Sequence, residues 1–313
     1  MASAVPSAAY FHMTDSPLTT PEQPSLLSFF RSPELPFGFV RVCLYLILGE
    51  AVSYFLSRIA RILLAGGLPA TSPQVVMATE LIGFGSAFSA AWVMSRLEKR
   101  NFGAYGLPLQ GALGKSFWHG ALFGAVEIST VIGALAALGY YHFGFLVIHG
   151  AALLRWAVFW ALLFLLVGLY EEFAFRGYVQ FTLAQGMRFW PASMLLSIMF
   201  GARHLENPGE TWIGIAGIVL TGLFWCFTLR RTGNLWFAVG MHASFDFGET
   251  FLYSVPDSGV IFPGHLSSAT LAGPAWLSGG TAGPEASLLD FFVILLFFYG
   301  FHRLYPANSE SKS

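Results

Sequence analysis

Three short stretches place ionisable side chains inside otherwise apolar sequence: YEEFAFRGYVQ, FGARH and GMHASFDF. They carry Glu171, Glu172 and Arg176, then Phe200 and His204, then His242 and Asp246. A charged group in hydrocarbon is costly, so such residues are functional candidates by default. On a helix, Glu172 and Arg176 lie one turn apart with the acid N-terminal, the favourable order for an ion pair. Glu171 is turned about 100° from Glu172 and can face a different partner. His242 and Asp246, also one turn apart, present imidazole and carboxylate on one helix face.

A carboxylate near two histidines can take a proton from water, aim that water at a carbonyl and stabilise the oxyanion that forms. The product is a hydrolysed peptide bond with no covalent intermediate. Two His with a Glu and an Asp are also suitable zinc ligands, which leaves metal-assisted hydrolysis open. The chain has no HExxH and no GxSxG, and no intramembrane Ser sits in a nucleophile motif, which disfavours serine chemistry.

The elements that must position these groups are membrane helices. Of 313 residues, 55% are hydrophobic and only 11% charged, too few charges for a water-soluble surface, where roughly 25% is usual. Apolar segments at roughly 37 to 64, 74 to 95, 117 to 141, 152 to 185, 191 to 204, 211 to 229, 234 to 254 and 287 to 304 predict an all-α polytopic bundle of about eight transmembrane helices. The fourth segment is long for one crossing and the fifth is short. Lys and Arg fall in alternate loops: Arg96, Lys99, Arg100 and Lys115, then Arg188, then Arg230 and Arg231, then Arg303 and Lys312. Residues 65 to 74, 142 to 151 and 255 to 286 hold none, so both termini are expected in the cytoplasm. Arg203 breaks the alternation. Counting helix rise from cytoplasmic ends near Gln185, Pro191 and Asn234 puts Glu171, His204 and His242 roughly 10 to 25 Å deep, where they can converge.

The three motifs together are specific. Glu171-Glu172 with Arg176 matches EExxxR, Phe200 with His204 matches FxxxH, and His242 with Asp246 matches HxxxN/D, in that order. Over about residues 75 to 255 the chain resembles the CAAX protease and bacteriocin-processing (CPBP, abortive-infection) family, type II CAAX prenyl protease-like. The resemblance implies an eight-helix membrane core and an intramembrane glutamic-type endopeptidase. Glu171 would be the general base, His204 would help bind the attacking water, and His242 and Asp246 would hold the oxyanion positions. Glu172 and Arg176 would keep span four in register, with Phe200 packed near the cavity. Asp246 stands where some relatives have Asn. A charged Asp cannot donate to an oxyanion, so it would be protonated or would orient His242. The resemblance favours a metal-free site with no cofactor, zinc being the alternative, and implies a peptide or membrane-protein substrate, with or without a lipid modification.

The division expected is a flexible cytoplasmic tail over 1–35, with an interfacial LLSFF patch, a membrane domain over 36–305 and a short cytoplasmic tail over 306–313. The expected location is the cell (plasma) membrane. A net charge of -1 and no dense basic run point away from nucleic acid, leaving the lipid bilayer as the surrounding partner. Glu50, Glu80 and Glu127 also interrupt spans and read as inter-helix hydrogen bonders. His119, His142, His149, His265 and His302 fall at span ends or in loops. Gly83, Ala87 and Ala91, four apart, read as a helix-packing stripe. The Gly/Pro/Ser-rich stretch 256 to 286 reads as an extracytoplasmic loop with no evident chemistry. A proton-coupled transporter or a non-catalytic scaffold could use the same buried groups, but paired broken helices in two matching halves are not found.

Overall fold

The computed structural model describes residues 30–63, 67–69 and 71–306. The expected tails at 1–35 and 306–313, with the LLSFF patch, lie almost wholly outside the described residues. The helices in chain order are α1 (Leu35–Leu63), α2 (Pro73–Glu98), α3 (Lys115–Ala137), α4 (Gly150–Arg176), α5 (Tyr178–Met187), α6 (Phe189–Arg203), α7 (Trp212–Thr232), α8 (Trp236–Asp246), a single turn α9 (Ala275–Ser278) and α10 (Leu288–Leu304). A wide π turn, Phe247–Leu252, extends α8. The protein is an all-α polytopic membrane protein. Helix occupies all eight apolar segments, and among the described residues five stretches are long and apolar enough to cross a bilayer: α1, α2, α3, α4 with α5, and α7.

The two segments of unusual length have local causes. The long fourth segment breaks after Arg176 at Gly177 (φ −84°, ψ −124°), where a Cβ would lie 2.3 Å from the Phe173 carbonyl oxygen. Glycine is thus required at the break between α4 and α5. Helix α6, with 15 residues, is about 22 Å long, shorter than a hydrocarbon core of about 30 Å, and it ends at Arg203 with His204 opening the turn beyond.

The helix carrying His242 is fixed by glycine. A Cβ on Gly120 would come 1.9 Å from the Phe237 oxygen, one on Gly124 2.1 Å from the Met241 oxygen, and one on Gly240 2.1 Å from the Phe117 oxygen. Helices α3 and α8 therefore touch backbone to backbone, as small residues permit in lipid, and they form the most extensive helix pair. In the α2 stripe, Ala87 and Ala91 are buried and Gly83 abuts the Tyr170 ring of α4, so the stripe does pack helices.

A second clamp holds the kink. Buried Glu98 at the end of α2 accepts hydrogen bonds from Tyr105 (2.8 Å) and from Tyr178 (2.5 Å), the first residue of α5, and faces Arg41 of α1 at 3.5 Å. On the opposite side, strand β1 (Tyr141–His142) pairs antiparallel with β2 (Thr270–Leu271). This ribbon folds the 253–287 connection back over the bundle, so that it becomes part of the cavity wall.

Candidate active site

A cavity of ≈ 480 Å³ opens among α1, α2, α3, α4, α6, α7, α8 and α10. Glu171, Phe200, His204, His242 and Asp246 all line it, whereas Glu172 and Arg176 are fully buried behind. The sequence-predicted residues are thus gathered in one place, on three helices, α4, α6 with the turn after it, and α8.

His242 is the hub. Its Nδ1 lies 3.1 Å from Glu172 Oε1, and since a buried carboxylate accepts, Nδ1 carries the proton of that bond. Its Nε2 faces the cavity, 3.4 Å from Asp246 Oδ2 and 3.8 Å from Glu171 Oε2. These separations exceed a good hydrogen bond and leave the carboxylates in close electrostatic contact with the ring. Glu171 and Glu172 therefore address opposite sides of one ring, as their different helix faces allow. Glu172 also accepts from Arg176 Nη1 at 3.1 Å, the i,i+4 pair expected from the spacing. Orientation of His242 thus falls to Glu172 at the inner nitrogen, while Asp246 meets the outer one.

His204 sits at the end of α6 with Nδ1 2.8 Å from the Phe200 carbonyl. The carbonyl can only accept, so the proton is on Nδ1 and Nε2 is left as an acceptor. No close contact joins His204 to Glu171 or His242; they share the cavity and not a hydrogen bond.

An aromatic stack links the two histidines. The Arg176 guanidinium lies 4.3 Å from the Phe200 ring centroid and 5.0 Å from that of Trp225. Phe200 then meets His204 edge to face at 4.7 Å, and Trp225 stacks on His242 at 4.6 Å and 16°. Gly222 leaves room for the guanidinium, since a Cβ there would lie 2.6 Å from Nη2. Cation–π attraction is strongest when desolvated, and here it substitutes for hydrogen bonds that Nε and Nη2 lack. Trp225 carried no sequence signal, being one aromatic in an apolar helix.

The cavity wall continues past Asp246 into further acids: Glu127 of α3, Glu249 of the π turn, Asp257 and Glu285 of the folded-back connection, and Asp290 of α10. This corrects the reading of 256 to 286 as a plain loop, because the ribbon brings two of its carboxyls to the cavity. Burial pushes Asp257 up from 3.8 to about 6 and Glu285 from 4.5 to about 7. Glu80 also lines the cavity, as does Arg203, the residue that broke the charge alternation. Among the described residues no three His, Cys, Asp or Glu side chains converge in a geometry fit for a metal ion; the polar groups are spread around the cavity.

Fold and site together define an integral membrane protein with a histidine held among carboxylates in an intramembrane cavity. Residues 152–248 match the family described as type II CAAX prenyl endopeptidase Rce1-like. This segment spans α4 to α8, contains all three motifs and supports placing the chain with the CAAX protease (CPBP) family. No curated protein matches the chain.

Proposed function

We propose that the chain is an intramembrane endopeptidase that hydrolyses peptide bonds with a water activated by Glu171 and His204. The observation that carries this reading is the clamping of His242 by Glu172 at Nδ1, which leaves Nε2 facing the cavity beside Glu171 and Asp246.

Glu171 takes a proton from the water, whose other hydrogen bonds to Nε2 of His204. The hydroxide oxygen bonds to the scissile carbonyl carbon, and the carbonyl electron pair moves onto oxygen. His242, protonated on both nitrogens with Glu172 and Asp246 as counter-charges, donates from Nε2 to that oxyanion. Collapse breaks the C–N bond, and Glu171 returns its proton to the leaving amine. Asp246 acts as the carboxylate that keeps His242 charged and is not itself the donor. No step passes through a metal or cofactor. The substrate is a peptide or membrane protein reached from the cytoplasmic side, with prenylated tails as the class suggested by the family. Both termini face the cytoplasm, and the membrane is the plasma membrane.

Mass-spectrometric profiling of protein termini in membranes carrying the wild-type chain or Glu171→Ala tests the reading. New termini confined to the wild-type sample are expected. Identical termini in both would refute it and leave the buried acids to a transporter or scaffold.

A further inference from the structure

The five acids beyond Asp246 have no evident place in the hydrolytic step. They lie outside 152–248, so the family match does not account for them. Glu249 faces Glu285 and Glu127 faces Asp290, carboxyl to carboxyl within hydrogen-bond reach, with Asp257 alongside. Glu249 is 1% and Asp290 3% exposed, yet no donor reaches Glu249 Oε1, Glu285 Oε2 or Asp290 Oδ1 among the described residues. The chain supplies no Lys or Arg between Arg231 and Arg303, nor between Lys115 and Arg155, so the elements that bring these acids bring no Lys or Arg, and the cationic groups at the cavity are His242 and Arg203. Asp257 accepts hydrogen bonds from Thr250 at 2.7 Å and from Ser258, and Glu285 Oε1 accepts the Ser258 N–H at 2.8 Å, none of these donors being charged.

Paired buried carboxyls are tolerated only with a proton or a cation between them. A metal ion would need the oxygens to converge, and they do not. Spread along a wall, they suit a long side chain ending in several N–H donors, three on an ammonium or five on a guanidinium. We infer that this acidic wall is a subsite for a basic side chain of the substrate, which makes a Lys or Arg close to the scissile bond a specificity determinant. The inference rests on the endopeptidase reading above. The wall adjoins Asp246, so a peptide whose carbonyl meets His242 can place a neighbouring side chain against it. The cavity, at ≈ 480 Å³, has room for both.

The test separates binding from turnover. Full-length Glu171→Gln protein in lipid nanodiscs is titrated with fluorescein-labelled octapeptides, with and without a farnesyl thioether, in which each position in turn is Lys, norleucine or Glu. A charged hydrogen-bonded contact predicts that Lys at one position binds about tenfold or more tighter than norleucine, with Glu weaker than both. Adding Glu249→Gln with Glu285→Gln should erase the Lys advantage while leaving norleucine affinity in place; Asp257→Asn serves if that variant does not fold. Equal affinity of Lys and norleucine peptides at every position, no binding of any Lys peptide, or a Lys advantage untouched by all three substitutions would overturn the inference. Cleavage of the same series by the wild-type protein is scored separately. A Lys preference in binding with no cleavage of any peptide sinks the endopeptidase reading and keeps the cationic subsite; cleavage without any Lys preference does the reverse.

Discussion

Replacing Glu172 by Gln keeps shape and removes one buried charge. Glu172 Oε1 receives two charged donors, Arg176 Nη1 and His242 Nδ1, each at 3.1 Å, and Arg176 Nε and Nη2 have no hydrogen-bond partner among the described residues. Stripping one member from a buried ion pair costs about 3–5 kcal/mol. The amide oxygen still accepts, which recovers about 1 kcal/mol, so a loss of about 2–4 kcal/mol is expected. The aromatic faces of Phe200 and Trp225 are already in place in both proteins and do not change this difference. Arg176→Met should cost a similar amount, because it leaves the carboxylate with His242 alone. The double variant Glu172→Gln/Arg176→Met removes both charges and should lie closer to wild type than the sum of the singles, by about 2–3 kcal/mol. Equilibrium unfolding in mixed detergent and SDS micelles, followed by tryptophan fluorescence, reads all four corners of the cycle. If the singles add without coupling, or Glu172→Gln unfolds within about 0.5 kcal/mol of wild type, the clamp does not hold α4 to α8 as described. Activity in Glu172→Gln should fall with the loss of a fixed, charged His242, even under conditions where the protein remains folded.

Glu171→Gln should keep its unfolding midpoint and lose turnover by a factor of about 10² or more; ordinary activity in that variant would remove Glu171 as the base. Full activity is expected after metal depletion, whereas stoichiometric zinc with activity lost to a chelator and restored by the metal would rule out the proposed mechanism. Asp257 and Glu285 have folded pKa values raised to about 6 and about 7, so the folded state holds more protons than the unfolded one between about pH 4 and 7. Their contribution is complete at the acid end and is lost as pH rises through those values. Thermal unfolding between about pH 4.5 and 8 should show this fall, with Asp257→Asn flattening part of it; an unchanged slope in that variant contradicts the assignment. A Cys placed at 100 or 231 should resist impermeant reagents added outside intact cells, and preferential labelling there would reverse the topology.

Much of the architecture was legible because the bilayer imposes a length and a composition on each span. The eight apolar segments all became helix, and the Glu172–Arg176 spacing became a 3.1 Å ion pair. Even the anomalous lengths carried a signal: the glycine after Arg176 marks the break, and the short fifth segment ends where His204 is needed. Contacts between helices were less legible. Intrahelical spacing could separate Glu171 from Glu172 but could not reveal that both would meet one imidazole 70 residues along the chain. Trp225 looked like any aromatic in an apolar stretch. Asp257 and Glu285 read as loop acids because long-range pairings such as the ribbon joining Tyr141 to Leu271 turn their connection inward, and two-residue strands have no sequence pattern.

The stacking of Arg176 between two rings constrains how such a chain can diverge. Lysine in its place would keep the charge but has no flat face to lie against Phe200 and Trp225, so this mildest of exchanges would slacken the supports of His204 and His242 together. An aliphatic side chain in place of either ring would leave one side of the guanidinium uncovered in a site with no water to solvate it. A bulkier residue at 222 would push the guanidinium off both rings. Positions 176, 200, 222 and 225, scattered over three helices, therefore act as a single packing unit. Its members are better replaced jointly than singly, and loss of the charge at 172 would release the arginine while Trp225 would still stack on His242.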